Sequence, residues 1–294
     1  MFRKTVVFTV VAALLAALTW EPAPALQSSG PKKRVGVVSF VDKTGHPGVA
    51  EAAIDVLTTE LVKSGKFIVI ERAEIEQVLK EQALGQSGAI NPATAAQAGK
   101  ILGLQGIIVG TVSMFGHQKA TSAYPFVTAG KLASVVTVDV RIIDSETAQV
   151  LQAESGTGAV EIKATNVLGF GPTYKYDETI DGGAFRAAVT QFIGNLINQL
   201  SSGEWTGRVV ASSAGVATIN AGEKTGLQVG QELAAFALGE EMIDPDTGVS
   251  LGREEGAIKG LCQITQFFGK DNDLSKCKIK SGALDKQDAV KIKQ

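Results

Sequence analysis

The catalytic chemistry open to this chain is limited by its two histidines, His46 and His117. A Ser-His-Asp triad needs a histidine as its general base, and the Gly-x-Ser-x-Gly turn that presents many serine nucleophiles is absent. His46 precedes a proline and His117 follows a glycine, which are contexts in which an imidazole is usually solvated. The sequence therefore predicts no enzyme. An exported hydrolase that depends on one of these histidines is kept as the last of three hypotheses.

Phosphate-binding loops are also missing. Neither G-x-x-x-x-G-K-[ST] nor G-x-G-x-x-G stands where a first strand would meet a helix. Gly99, Gly103, Gly106 and Gly110 have a suggestive spacing, but they end a predicted helix and enter a strand. Anions bind at the opposite, N-terminal end of a helix, so these glycines are interpreted as capping and close-packing positions. We expect no cofactor.

The cysteines of the chain are Cys262 and Cys277. In an oxidising compartment a loop of this size can be closed by a disulfide, which would stabilise the fold by about 3 kcal/mol. A reactive or metal-binding pair is the alternative interpretation. Metal ligation is disfavoured because neither histidine lies near a cysteine in sequence. We predict a disulfide between the two cysteines and no metal site.

The N-terminus has the order of a secretory signal peptide. Arg3 and Lys4 precede an apolar run over residues 6–18, and Ala23-Pro24-Ala25 follows as the cleavage site. The run is short for a permanent membrane span, although an uncleaved anchor is the alternative. No cysteine follows it, so lipid attachment is not expected. The sequence predicts a signal peptide over residues 1–25, a polar leader over 26–33, and export to the periplasm.

Helical and strand-like patterns alternate over residues 34–202 and predict one α/β (α+β) domain. The predicted strands are Val35–Val41, Phe67–Ile70, Ile107–Val112 and Val135–Ile143, with a return strand from Gln149. Helical periodicity runs over residues 49–63, 75–83, 92–102 and 185–200. Adjacent and crossover connections together predict a mixed sheet with helices packed on it.

Short strands separated by glycine turns follow from residue 204 to 294. Their spacing predicts a small SH3-like β-barrel, which is usually a binding or docking module. The net charge of the whole chain, −2, provides no basic field for a polyphosphate, and nucleic acid is excluded as a partner on that ground.

Two connections are too long for compact loops, residues 113–134 and 154–183, and are predicted to be hairpin insertions. The second has apolar residues at alternate positions, which predicts a strand with one apolar face. The residues are Val160, Ile162, Leu168, Phe170, Tyr174 and Tyr176. A membrane-inserting hairpin gives this pattern, and so does a soluble hairpin that packs on the sheet or pairs with a neighbouring subunit. Both readings stay open, and the outer membrane is one expected contact.

Several of these blocks, in this order, resemble the CsgG family. They are Asp42-x-Thr44-Gly45, Phe67-x-Val69-Ile-Glu71-Arg72, Ala98-x3-Leu102-Gly103, Ile108-Val109-Gly110-Thr111 and Val140-Arg-Ile-Ile-Asp144-x3-Ala148. The resemblance covers about residues 33–203. It implies the fold of that family, which is similar to the N-terminal domain of TolB and to some peptidoglycan-synthase activators. The family includes the curli secretion channel of the outer membrane.

The sequence departs from the channel members in three respects. It lacks the lipidated cysteine, it passes through His46-Pro47-Gly48 straight into a helix with no room for a constriction loop, and its hairpin regions look short. It also adds the C-terminal barrel, an arrangement similar to the flagellar protein FlgT, which belongs to a periplasmic ring.

The resemblance implies a non-enzymatic assembly or transport component that forms a homo-oligomeric ring at the periplasmic side of the outer membrane. Its role would be curli-like fibre export or surface-structure biogenesis, with envelope or secreted proteins as partners. The alternative hypothesis is a soluble periplasmic adaptor or ring protein, either flagellar-ring-like or associated with peptidoglycan.

Overall fold

The computed structural model describes residues 30–81, 92–125, 127–167, 179–246 and 250–293. The predicted signal peptide and residues 26–29 of the leader lie outside these ranges. The N-terminal part folds into a five-stranded mixed sheet in the order β2-β1-β3-β4-β5. Its strands are β1 (Lys33–Asp42), β2 (Phe67–Ile70), β3 (Gly106–Tyr124), β4 (Val127–Ile143) and β5 (Val150–Val167). β1 is parallel to β2 and β3, whereas β3, β4 and β5 are antiparallel neighbours.

Four helices cover this sheet: α1 (Val49–Lys63), α2 (Arg72–Glu81), α3 (Pro92–Leu102) and α4 (Thr179–Ser201). Helices α1 and α4 lie on one face, where Leu57, Phe185 and Phe192 pack on Val35 and Val138. Helices α2 and α3 lie on the other face, over Val38, Ile107 and Ile143. The apolar periodicity of each helix thus reflects the layer that it covers.

The glycines considered for phosphate binding serve close packing or helix termination. A Cβ at Gly110 would overlap the ring of Phe40, and a Cβ at Gly99 would overlap Ile107. Gly103 ends α3 with φ 64°, a left-handed conformation that glycine adopts at little cost. These positions therefore set the distance between α3, β1 and β3.

The structure extends three of the predicted strands. The sequence predicted β3 as far as Val112, β4 from Val135 and a hairpin insertion over residues 113–134 between them, whereas the structure continues both strands through that region as one hairpin, from Ile107↔Ile143 to Tyr124↔Val127. The polar stretch from Gln118 to Ser122 hid this continuation, because it has no buried face to create an alternating pattern. The predicted return strand from Gln149 likewise continues to Val167 as β5. The predicted end of α2 near Gly85 lies outside the described residues.

The C-terminal part is a closed six-stranded β-barrel in the order β10-β7-β6-β11-β8-β9. Its strands are β6 (Gly207–Ser213), β7 (Val216–Ile219), β8 (Glu232–Ile243), β9 (Ser250–Phe268), β10 (Leu274–Gly282) and β11 (Ala289–Ile292). Trp205, Ile219, Leu233 and Val290 fill its interior. Cys262 on β9 and Cys277 on β10 are buried there as a disulfide, with Cα atoms 5.5 Å apart.

The barrel is attached at the end of the sheet where β1 and β3 begin. The Gln105 side chain donates to the Thr206 carbonyl over 3.1 Å, and the Lys32 N–H donates to the Thr225 carbonyl over 2.7 Å. β8 and β9 also continue past the barrel as a two-stranded arm, residues 239–246 and 250–255, and Glu241 on this arm pairs with Lys100 of α3 at 3.0 Å. Contacts from the leader, the sheet and α3 thus hold the barrel in place.

Candidate interaction surface

The most distinctive feature of the sheet is a three-stranded ribbon that continues past β1, β2 and their helices. The ribbon consists of residues 115–124, 127–136 and 158–167, with unbroken pairing between neighbouring strands. β3 has 19 residues, so it is about 60 Å long at roughly 3.3 Å per residue. Because the barrel lies where β3 begins, the tip of the ribbon and the barrel occupy opposite ends of the molecule.

A β-bulge at Ser113 starts the ribbon. The pairing register shifts between Val112 and Met114, after which Phe115 and His117 lie on the face that α4 covers. Phe115 stacks on Phe185 of α4 with ring centroids 6.1 Å apart. The extra residue changes the direction in which the following side chains point, which is a common function of a bulge. Phe115 can therefore pack on Phe185 at the base of the ribbon.

Asp181, in the first turn of α4, ties this helix to two strands of the ribbon. Its Oδ1 accepts a hydrogen bond from Ser134 Oγ at 2.5 Å and lies 2.9 Å from His117 Nε2. In a nucleophilic triad the histidine lies between the serine and the aspartate, whereas here the carboxylate lies between the other two. The Ser134 hydroxyl thus contacts a carboxylate and not an imidazole, and the three side chains connect α4 to the strands.

The short β1–α1 loop folds back on the same region. Asp42 Oδ1 accepts hydrogen bonds from the Thr44 N–H and the Thr44 hydroxyl, at 2.6 and 2.7 Å, and these bonds lower the pKa of the Asp42 carboxyl. The His46 ring meets the Phe115 ring edge to face, with centroids 5.1 Å apart. Both histidines of the chain thus lie against Phe115.

The face of β4 and β5 away from α4 is open and polar. Thr137 and Thr157 bond each other across the strands at 2.9 Å, and Ser155 donates to Asp139 at 2.6 Å. Lys131 and Glu161 form an ion pair nearer the tip. Cross-strand pairs of this kind each contribute a few tenths of a kcal/mol up to about 1 kcal/mol and fix the strand register. Among the described residues, the part of this face that α2 and α3 leave uncovered carries no apolar cluster.

The free edge of β5 is closed at one point by α4. Gln191 donates from Nε2 to the Thr157 carbonyl at 2.6 Å and accepts from the Thr157 N–H through Oε1 at 3.1 Å. Gly156 and Gly158 allow the helix this close, because a Cβ at either glycine would overlap the backbone of Ala184 or Ala188. Within the described part of β5, no other residue has its edge-facing backbone groups bonded to a side chain in this way.

The predicted hairpin residues divide into two groups. Val160 is half-buried and packs on the core against Gly183 of α4, so its side chain faces the helix layer. Ile162 is half-buried further along β5. Leu168, Phe170, Tyr174 and Tyr176 lie outside the described residues. Val160 thus contacts α4, and a membrane- or partner-facing role for these hairpin residues stays a prediction.

Sequence reasoning missed Asp181, Ser134 and Gln191. Each is a polar residue beside apolar ones, and only the folded chain brings it to its partner, 34 to 64 residues away. The glycines at 156 and 158, spaced to face the same side of a strand, were the one available signal for a helix lying close on β5. Among the described residues no group of His, Cys, Asp and Glu could hold a metal ion, and no helix is long and apolar enough to cross a membrane.

Comparison with known proteins identifies a family. The family model described as "Curli production assembly/transport component CsgG" matches residues 21–230, and this match continues past the sheet through β6 and β7. A curated Neisseria meningitidis serogroup B protein named "Putative lipoprotein" is 23% identical over 164 residues, which are 55% of this chain and 69% of that protein.

Similar solved structures are more distant. Lipoprotein GNA1162 from Neisseria meningitidis has a TM-score of 0.34 at 14% identity and covers 58% of this chain and 99% of its own. The C-terminal domain of LpoB from Salmonella enterica has a TM-score of 0.32 at 13% identity, with 44% and 83% covered. A PelC dodecamer from Paraburkholderia phytofirmans has a TM-score of 0.32 at 12% identity, with 54% and 87% covered. At these scores the fold assignment depends on the chain's own strands and helices.

Proposed function

Since the chain belongs to the CsgG family, we propose that it is a non-enzymatic component of cell-envelope assembly or transport that oligomerises through the ribbon. Its place is the periplasmic side of the outer membrane, and its role is curli-like fibre export or surface-structure biogenesis. The family description supports assembly and transport, and the name of the Neisseria relative supports an exported envelope protein.

The observation that carries the proposal is that the ribbon has two open edges. β1 ends at Asp42, which pairs with Val112, so beyond the bulge the outer edge of β3 has no strand partner among the described residues. β5 is the last strand on the other side. Exposed strand edges are templates for pairing with another chain, and proteins normally protect them.

Two different edges on one molecule support a head-to-tail contact. The β5 edge of one copy can pair with the β3 edge of the next, and repetition of this contact closes into a ring when the rotation per copy allows it. Main-chain hydrogen bonds would supply the affinity, as in other cases of strand addition. Gln191 would then set where pairing stops, since it already occupies the edge groups of Thr157.

A proline at Ala159 tests this contact. The N–H of Thr157 points away from β4 because it bonds Gln191, and Ala159, two residues further along an antiparallel strand, has the same orientation. Proline on the outward side of an edge strand keeps the internal pairing but removes one donor and obstructs a neighbouring strand. The control is Ala159→Val, which keeps the N–H and suits a strand.

Light scattering on the mature protein, supported by electron microscopy, should show an oligomer for the wild type and for A159V, and a smaller species or monomer for A159P. Equal assembly of A159P and the wild type would remove the β5 edge from the proposal. A wild type that is a strict monomer at high concentration, with no membrane-associated fraction, would reject the assembly role itself.

A soluble periplasmic adaptor is the second candidate. The separation of barrel and ribbon at opposite ends of β3 favours it, because one molecule could then contact two partners at once. A monomeric mature protein that co-sediments with cell-wall sacculi would support the adaptor in preference to the ring.

A further inference from the structure

One side of the barrel is strongly depleted in negative charge. Four adjacent strands, β6, β7, β10 and the barrel part of β9 (residues 256–268), contain no aspartate or glutamate. Negative charge is concentrated on the arm instead. Glu240, Glu241, Asp244, Asp246, Glu254 and Glu255 all belong to the arm. The barrel domain is therefore electrically polarised although the net charge of the chain is only −2.

A row of three lysines runs along the middle of the depleted side. Lys276, Lys278 and Lys280 are exposed on the outside of β10, while Cys277 between the first two is buried and Ile279 between the last two is half-buried. Lys276 and Lys278 lie on one face of the strand, about 7 Å apart along it, and Lys280 follows at a β-bulge, where the register shifts between Ile279 and Ser281. None of the three has a carboxylate partner within the described part of the chain.

The surroundings of this lysine row are polar and flat. Lys276 lies over the Phe268 ring at 5.4 Å, and Thr265 and Gln266 are exposed on the neighbouring β9. Glu232 interacts electrostatically with Lys280, and Lys293 already pairs with that carboxylate at 2.8 Å. The face thus combines unpaired positive charge with hydroxyl, amide and aromatic groups.

We infer that this lysine row binds a linear acidic polysaccharide along β10. A row of exposed cations along one strand matches a polymer with repeated carboxylates, and hydroxyl and amide side chains can bond sugar hydroxyls. A protein partner would need large apolar anchors buried in pockets, and this face presents instead isolated residues such as Val216. The inference uses the barrel alone and does not depend on assembly through the ribbon.

The test measures binding of the full mature chain to polygalacturonate at low ionic strength, with neutral pullulan and poly-glutamate as comparison polymers. The variant is Lys276→Gln/Lys278→Gln/Lys280→Gln. The matched control is Lys43→Gln/Lys66→Gln/Lys80→Gln, which removes the same charge from exposed sites in the sheet domain outside the ribbon. A Lys→Arg version of the row keeps its charge and checks that binding survives a change of side chain.

We expect the wild type to bind polygalacturonate more tightly than poly-glutamate and not to bind pullulan. The variant with all three lysines of the row changed to glutamine should bind polygalacturonate about tenfold or more weakly, since each exposed charge pair contributes a few-fold to the affinity. The control should stay within about threefold, because distant surface charges are screened, and the arginine version should bind like the wild type. Added salt should weaken binding.

Three results would overturn the inference. Equal losses in the row variant and its control would mean that only net charge matters. Poly-glutamate binding as tight as that of polygalacturonate would indicate an acidic protein partner. A changed oligomer mass in the row variant would indicate that the lysines contact a second copy of the chain. Circular dichroism and the midpoint of urea unfolding establish that all variants are folded before binding is compared.

Discussion

The ribbon and the barrel are both antiparallel β-structure, but the strand edges are paired in the barrel and open in the ribbon. The six barrel strands pair in a closed cycle and leave no edge, whereas the ribbon continues about ten residues past the bulge with an open edge on each side. A closed barrel can recognise a partner only through its side chains, and an open ribbon can also do so through its backbone. One chain therefore offers two kinds of surface, separated by the length of β3.

The two regions also depend on different forces. The sheet is stable because helices cover it, and α4 in particular lies against β5 over Gly156 and Gly158. The barrel has no covering helix among the described residues and depends on closure, a small core and the cross-strand disulfide. Selective damage to one region should consequently leave the other folded, and each prediction below addresses one side of this comparison or the contact between them.

The largest effect is expected from Gly156→Val/Gly158→Val. Each added side chain would overlap the backbone of α4, which cannot yield as a flexible side chain can. Overpacking usually costs about 1–3 kcal/mol per site, so the pair should lower the free energy of unfolding by about 4 kcal/mol or more. Urea unfolding followed by circular dichroism at 222 nm measures the loss of the helical layer.

The matched control is Gly182→Ala/Gly194→Ala on α4, where an added Cβ meets no atom within 4 Å. Alanine favours a helix over glycine by up to about 1 kcal/mol per residue, so this variant should be slightly more stable than the wild type. A valine pair as stable as the control would contradict the close approach of α4 to β5.

The second prediction concerns the barrel. Cys262→Ala/Cys277→Ala opens a disulfide that closes 15 residues, and the chain-entropy estimate for such a loop is about 3 kcal/mol. The loss should appear in the unfolding of the barrel, monitored by fluorescence of the buried Trp205, while the helical signal at 222 nm unfolds at its former midpoint. Free thiols detected in the oxidised wild type, or equal shifts in both signals, would contradict this prediction.

Much of the sheet domain could be predicted because its helices and buried strands repeat apolar residues at a fixed period. Phe67–Ile70 was predicted to the residue, and α1 and α4 follow their apolar stripes. Hairpin insertions were predicted where the ribbon lies, but their continuity with the sheet strands was not, since residues such as Gln118 and Lys119 are exposed and carry no periodic signal. Hydrogen bonds between residues far apart in sequence, such as that between Gln191 and Thr157, produce no local sequence pattern from which they could be predicted.

The lysine row illustrates the same limit for the barrel. Lys276, Lys278 and Lys280 are visible in sequence as an alternating run, but a run of this kind usually means only a solvated strand. What gives it significance is the absence of carboxylates from the three neighbouring strands, and those strands are adjacent only in the closed barrel. The net charge of the chain can be read from the sequence directly, but it does not reveal this uneven distribution of charge over the barrel.

The smallest effect is expected at the contact between the two regions, where Glu241 of the arm meets Lys100 of α3. Hydrogen bonds from Ser250 and Lys100, with the nearby charge of Arg253, lower the pKa of the Glu241 carboxyl from its ordinary value of 4.5. A carboxyl whose pKa is lower in the folded state adds stability above its unfolded pKa. That contribution is lost as the pH falls through the folded pKa. Because the pair is partly exposed, the contribution should be below about 1 kcal/mol.

Glu241→Gln isolates this contribution from the other carboxyls, which titrate alike in both proteins. The wild type should be more stable than E241Q at pH 7, and the difference should shrink towards zero as the pH is lowered below 4.5, measured as urea midpoints across the series. A difference that grew on acidification would mean that the charged carboxylate destabilises the contact. High salt at pH 7 should reduce the difference as acid does, because screening weakens a surface ion pair without protonating it.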